Sequence, residues 1–182
     1  MLDNETQDPT GYTALVHALR ALMDLDLTKQ YYISGAPQCR QPDPNLPIEA
    51  MQAMDFVNVQ FYNNDNCNHG QPGFLDSVKS WSESLAGNHS SAKFVIAGIA
   101  DSREGTGYIT PDEMVAEVAQ IKALKKQYNL DNIGKSIILD WFWWQKRTDE
   151  SVAGYALWDL AEAIENRFDT PLKKALVADL RI

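Results

Sequence analysis

The sequence is poor in cysteine, in clustered positive charge and in long apolar runs, and each shortage removes a class of protein. Two cysteines in 182 residues exclude a disulfide-built scaffold, because such chains carry several bridges. Sixteen lysines and arginines stand against 25 aspartates and glutamates, a net charge of −9. The basic residues are scattered, so no cationic stripe is present to neutralise a phosphate backbone or an anionic lipid surface. Nucleic acid and membrane are therefore not expected as partners. Apolar runs, such as residues 94–96 and 137–139, are far shorter than the roughly 20 residues that span a bilayer. Histidines occur only at positions 17, 69 and 89 and have no ligand-like spacing with cysteine, so neither a metal nor a cofactor is expected. The first residues, Met1-Leu2-Asp3-Asn4-Glu5, have no basic start and no apolar stretch, so no secretory signal is read in this chain.

What is present is a globular composition, 45% hydrophobic and 10% aromatic, with an alternation of helical and strand patterns. Residues 11–24 carry Leu15, Ala18, Leu19 and Leu22 at helical spacing, with Thr10 or Thr13 as the expected cap. A β-rich run over 30–36 ends in a turn, and a loop punctuated by Pro42, Pro44 and Pro47 follows. Residues 55–62 alternate, with Val57, Val59 and Phe61 on one face and Asn58, Gln60 and Tyr62 on the other. A helix is expected at 74–85, with Trp81 in the core, then a strand at 93–99. Thr110-Pro111-Asp112-Glu113 starts a helix running to about Tyr128. A strand at 136–141 and one or two helices over 149–182, broken at Thr170-Pro171 and carrying Trp158 in the core, complete the reading. Strands separated by helices of this length point to βα units, a parallel sheet and one α/β domain.

Few residues here suggest chemistry by themselves. Asp3 and Glu5, two apart in a strand stub, share a face, and two carboxylates that close raise at least one pKa, as a general acid requires. Most such pairs are merely solvated surface. Tyr62 and Gln60 sit at a strand's C-terminal end, where parallel sheets hold their ligands, although the same residues serve equally well to close a core.

Three separated motifs change the weighting. They are Ser34-Gly35-Ala36-Pro37-Gln38-Cys39, then Phe56-Val57-Asn58-Val59-Gln60-Phe61-Tyr62-Asn63-Asn64 followed by Cys67, and Gly105-Thr106-Gly107-Tyr108-Ile109-Thr110-Pro111. In order and spacing they resemble the class III, hevamine-like chitinases of glycoside hydrolase family 18. The likeness covers residues 2 to about 111 and weakens after Tyr108. The family's catalytic signature, Asp-x-x-Asp-x-Asp-x-Glu at the end of barrel strand four, has its counterpart in Leu2-Asp3-Asn4-Glu5, with Met1 where the second Asp belongs.

That resemblance implies an endo-acting chitinase cleaving β-1,4-linked N-acetylglucosamine polymers with retention. The substrate's own N-acetyl oxygen attacks the anomeric carbon, so no protein carboxylate is the nucleophile. It casts Glu5 as general acid, Asp3 as the carboxylate that orients the N-acetyl group and Tyr62 as the hydroxyl that clamps it. Gln60, Ala36 and Asn63 are implied as substrate-binding. A tryptophan at the end of the eighth strand floors the sugar site in this family. Trp141 is the nearest candidate, with Trp143 and Trp144 as alternatives. Cys39 and Cys67 occupy the positions of a family disulfide, expected to close in an oxidising compartment. Asn88-His89-Ser90 is a glycosylation sequon in keeping with an extracellular parent protein, and Asn4-Glu5-Thr6 is a second one expected to stay unmodified within the active-site motif.

At 182 residues the chain is shorter than the roughly 200–250 of a complete (β/α)8 TIM barrel, and the family's first half has no counterpart in it. The expectation is an incomplete barrel, its C-terminal half from the end of strand four to strand eight, forming a single partial catalytic domain over 1–182. Unpaired strand edges then lead either to a homodimer that closes the sheet or to a chain that is inactive alone. A non-catalytic, lectin-like binder of chitin oligosaccharides is the alternative function.

Overall fold

Segments with a two-residue apolar period become strands here, and segments with a 3.6-residue period become the helices that cover them. The computed structural model describes residues 1–130, 136–139, 154–158, 165–168 and 171. Within them the chain runs α1 (Tyr12–Met23), β1 (Ser34–Gly35), α2 (Ile48–Gln52), β2 (Phe56–Gln60), α3 (Phe74–Leu85), β3 (Lys93–Ile99), α4 (Pro111–Tyr128), β4 (Ser136–Leu139) and β5 (Gly154–Trp158). Short 3-10 turns cover Gly87–His89 and Ser102–Glu104. All strand pairs are parallel, in the order β1-β2-β3-β5-β4.

The two faces of the sheet differ in character. Val57, Val59 and Phe61 are fully buried and pack with Phe94 and Ile96 against Phe74, Val78, Trp81 and Leu85 of α3 and Met114, Val118 and Ile121 of α4. The opposite face gathers Tyr62, Ala97 and Ile99 against Tyr108. This parallel sheet with helices packed on it is an α/β arrangement consistent with part of a TIM-type barrel. At the amino-terminal edge, the Leu2 amide donates to the Ser34 carbonyl at 2.7 Å and the Ala36 amide to that of Leu2 at 2.9 Å. The stub carrying Asp3 is thereby stitched beside β1.

Five expectations are corrected. α1 is capped by Gly11 at φ 82° with no side-chain bond from Thr10 or Thr13, because the left-handed turn there suits glycine. Its buried stripe is also phased differently. Val16 is the buried residue, with Tyr12, Leu19 and Met23 packed on the core, whereas Leu15 and Leu22 are exposed. The Arg20–Asp55 ion pair at 2.7 Å helps set that rotation, since Asp55 also accepts from the Ile33 amide at the head of β2. The run 30–36 forms a ladder only over Ser34 and Gly35, the two residues that find partners on β2. The loop holding Pro42, Pro44 and Pro47 is a loop as expected, and it leads into the short α2.

The remaining two corrections bear on the site. Residues 154–158, expected to be helical, form β5, so Trp158 lies on a strand. β5 then takes the place beside β3 that the strand at 136–141 was expected to fill, and β4 lies beyond it. Gly-Tyr-Ala-Leu-Trp is short and apolar. Such a run has no decisive period of its own, and pairing on both edges determines its state.

Candidate active site

The ends of the stub, β1, β2 and β3 converge on one cavity of about 440 Å³. Asp3 and Glu5 come from the stub, Gln60 and Tyr62 from the end of β2, Asn63 and Asn64 from the following loop and Ile99 from β3. The two-residue period explains the grouping, since Gln60 and Tyr62 project to the same side and Val59 and Phe61 to the other.

Gln60 is the hub. Its Nε2 donates to the Ala36 carbonyl at 2.7 Å and to Asp3 Oδ1 at 3.2 Å. Its backbone amide donates to the Pro37 carbonyl, and its carbonyl accepts from the Cys39 amide. Ala36 therefore meets the site through Gln60 and does not line the cavity. Partial burial and the charge of Glu5 push the Asp3 carboxyl above the ordinary carboxylate value, and the Gln60 bond offsets part of that rise. Tyr62 is 8% exposed, and its hydroxyl has no hydrogen-bond partner among the described residues. Burial raises its pKa, and the charges of Asp3, Glu5 and Glu104 raise it further, so the group remains a protonated donor.

Gln38, Asn64 and Glu104 also line the cavity, and the sequence reading assigned none of them a role. Gln38 and Asn64 lie inside quoted motifs, and Glu104 directly precedes Gly105, so position relative to the motifs was the available signal. The Gly105-Thr106-Gly107 segment is structural. The Thr106 amide donates to Asn63 Oδ1 at 2.9 Å, and the Asn63 amide returns a bond to the Thr106 carbonyl at 2.9 Å. Gly105 has φ 150°, and a Cβ there would lie 2.0 Å from Asn63 Oδ1, so glycine is required for the approach.

Cys39 and Cys67 form a disulfide, as the resemblance implied, and it ties the loop after β1 to the loop after β2. Both loops border the cavity. The sequon at Asn4 is closed. Asn4 is 6% exposed and its Nδ2 donates to the Asp8 and Asn45 carbonyls at 3.0 and 2.8 Å. Asn88 lies on the surface. Trp141, with Trp143 and Trp144, falls outside the described residues. By backbone register the strand beside β3 ends in Trp158, opposite Ile99.

The profile of Glycosyl hydrolases family 18 matches residues 2–156. Endochitinase 3 of Metarhizium anisopliae is 41% identical over 138 residues, which are 75% of this chain and 44% of that protein. The chain thus spans less than half the length of this curated relative. Among solved structures, a chitinase from Ipomoea carnea superposes with a TM-score of 0.68 at 22% identity, covering 95% of this chain and 54% of that one. A tamarind chitinase-like lectin superposes with a TM-score of 0.62 at 20% identity, covering 88% and 50%. At such identities the structural likeness is one of fold.

Proposed function

Because this chain belongs to the glycosyl hydrolases of family 18, we propose that its cavity binds β-1,4-linked N-acetylglucosamine oligomers and contributes the acid machinery of an endochitinase. The observation that carries the reading is the meeting of Asp3, Glu5, Gln60 and Tyr62 at one cavity. In this reading Glu5, open to solvent at the rim, protonates the leaving glycosidic oxygen. Asp3, held by Gln60, orients the N-acetyl group while its carbonyl oxygen attacks the anomeric carbon. Tyr62 donates its hydroxyl, which no described residue engages, to that same oxygen as charge develops. Asn63 supplies a further polar contact. β1, β2, β3 and β5 correspond to strands five to eight of the barrel, which moves the eighth-strand tryptophan from Trp141 to Trp158. The Cys39–Cys67 bridge supports an oxidising, extracellular setting.

The test is hydrolysis of an N-acetylglucosamine hexamer by the purified chain and by its Glu5→Gln variant. The expected result is cleavage that falls by about 10²-fold or more in the variant while binding persists. Equal rates in the two proteins overturn the role of Glu5. Binding without turnover in the wild type assigns the lectin-like alternative instead.

A further inference from the structure

Behind the sheet, on the side away from the cavity, a histidine and a glutamate are buried together with no part in the chemistry above. The His69 side chain is fully enclosed, and its Nδ1 lies 2.6 Å from Glu117 Oε2. A carboxylate oxygen is an acceptor, so the imidazole donates. The other oxygen, Oε1, accepts from the Gly70 amide at 2.8 Å. One carboxylate of α4 thus grips two consecutive residues of the loop after β2. Glu117 is 8% exposed and shares its helix face with Met114, Val118 and Ile121. A carboxylate in such a place is costly, and an apolar residue of similar shape serves stability at least as well.

The surroundings point to what the pair holds. The imidazole packs against Phe61 and Phe74, with centroids 5.8 and 4.8 Å away, and Phe61 directly precedes Tyr62. A Cβ on Gly98 would lie 3.1 Å from His69 Nε2, so the ring rests on the backbone of β3 one residue before Ile99. The His69 amide donates to the Phe61 carbonyl, and Asn64 Nδ2 donates to the Tyr62 carbonyl at 2.9 Å. The ring thus backs Phe61 and Gly98, the chain neighbours of Tyr62 and Ile99, and His69 belongs to the same loop as Asn64. We propose that His69 and Glu117 are positioning residues for the sugar site, a polar strut from α4 that sets where Tyr62 and the 63–64 wall stand. The proposal rests on the oligosaccharide reading of the cavity.

The test replaces the pair by apolar residues of similar shape, His69→Phe with Glu117→Leu, and measures the melting midpoint and the affinity for an N-acetylglucosamine tetramer. A merely structural pair predicts unchanged binding in a folded double variant. A strut predicts a midpoint near that of the wild type together with binding weakened by about tenfold or more, since displacements near 1 Å at such sites carry effects of that order or larger. Glu117→Gln keeps the side-chain length and both contacts, its oxygen accepting from the Gly70 amide and its NH2 donating to His69 Nδ1 once the imidazole takes the other tautomer, so its binding is expected to stay within about threefold of the wild type. If the double variant does not fold, Glu117→Asp decides, because it keeps the charge and retracts the anchor by one methylene. Weakened binding is expected, and wild-type binding overturns the proposal. Equal tetramer affinity in wild type and double variant removes the strut alone, whereas a wild type that does not bind tetramer removes the oligosaccharide reading and the strut with it.

Discussion

Tyr62 and Asp3 are pushed in the same direction by their shared surroundings, burial and neighbouring carboxylates favouring the protonated form of each. The Tyr62 hydroxyl is held protonated by burial and by nearby carboxylates, and it has no partner among the described residues to lose. Tyr62→Phe is therefore expected to leave the melting midpoint within about 2 °C of the wild type, while lowering turnover of a chitin oligomer by about 10- to 100-fold. Oligomer hydrolysis and thermal unfolding on one preparation check both halves. Asp3 is raised by partial burial and then by Glu5. A carboxyl raised in the folded state favours folding while protonated, and that contribution is lost as pH climbs through the raised value. Asp3→Asn removes the ionisation, so the variant is expected to be the more stable protein at pH 7. Its advantage shrinks to nothing as pH falls toward the ordinary 3.8 and below. A pH series of melting curves checks this, and a constant offset across the series contradicts it. The grouping of Asp3 with Glu5 was readable from spacing alone. Glu104 was not, because it reaches the cavity through a 3-10 turn that leaves no period to read.

Among the elements, α4 was the most legible because its start carries several agreeing signals. Thr110 Oγ1 accepts from the Glu113 amide, Glu113 Oε2 accepts from the Thr110 amide at 2.7 Å, and Pro111 occupies the first helical position. Thr110→Ala is expected to cost about 1 kcal/mol. For a chain of this size that lowers the midpoint by about 2–4 °C, read by circular dichroism. α1 was legible in extent and not in phase. Leu15, Ala18, Leu19 and Leu22 make a regular stripe, yet Tyr12, Val16, Leu19 and Met23 are the residues that meet the core. A helix with apolar residues on more than one side has no unique inward direction until its neighbours set one, here with help from the Arg20–Asp55 pair. β5 was missed for a related reason. Five residues are too few to show a period, and β3 and β4 stabilise the strand from both sides.

At the scale of the whole molecule, the cavity is an assembly of distant segments. Residues near positions 3, 38, 62 and 104 line it together, and the Cys39–Cys67 bridge spans two of its bordering loops across a separation of 28 residues. Replacing both cysteines by serine is expected to destabilise the fold by about 2–4 kcal/mol, chiefly by freeing the unfolded chain. Denaturant unfolding with and without reductant checks this: the wild type shifts on reduction and the double serine variant does not. The sequence alone determined the α/β class, the strands at the centre of the sheet, the α4 start and the residue types of the site, because these follow from local period, capping chemistry and motif order. Only the tertiary structure decided the phase of α1, the insertion of β5 beside β3, the hub role of Gln60 and the buried His69–Glu117 pair. Each of these depends on which partner a side chain or strand edge meets across dozens of residues, and no local signal in the chain encodes that meeting.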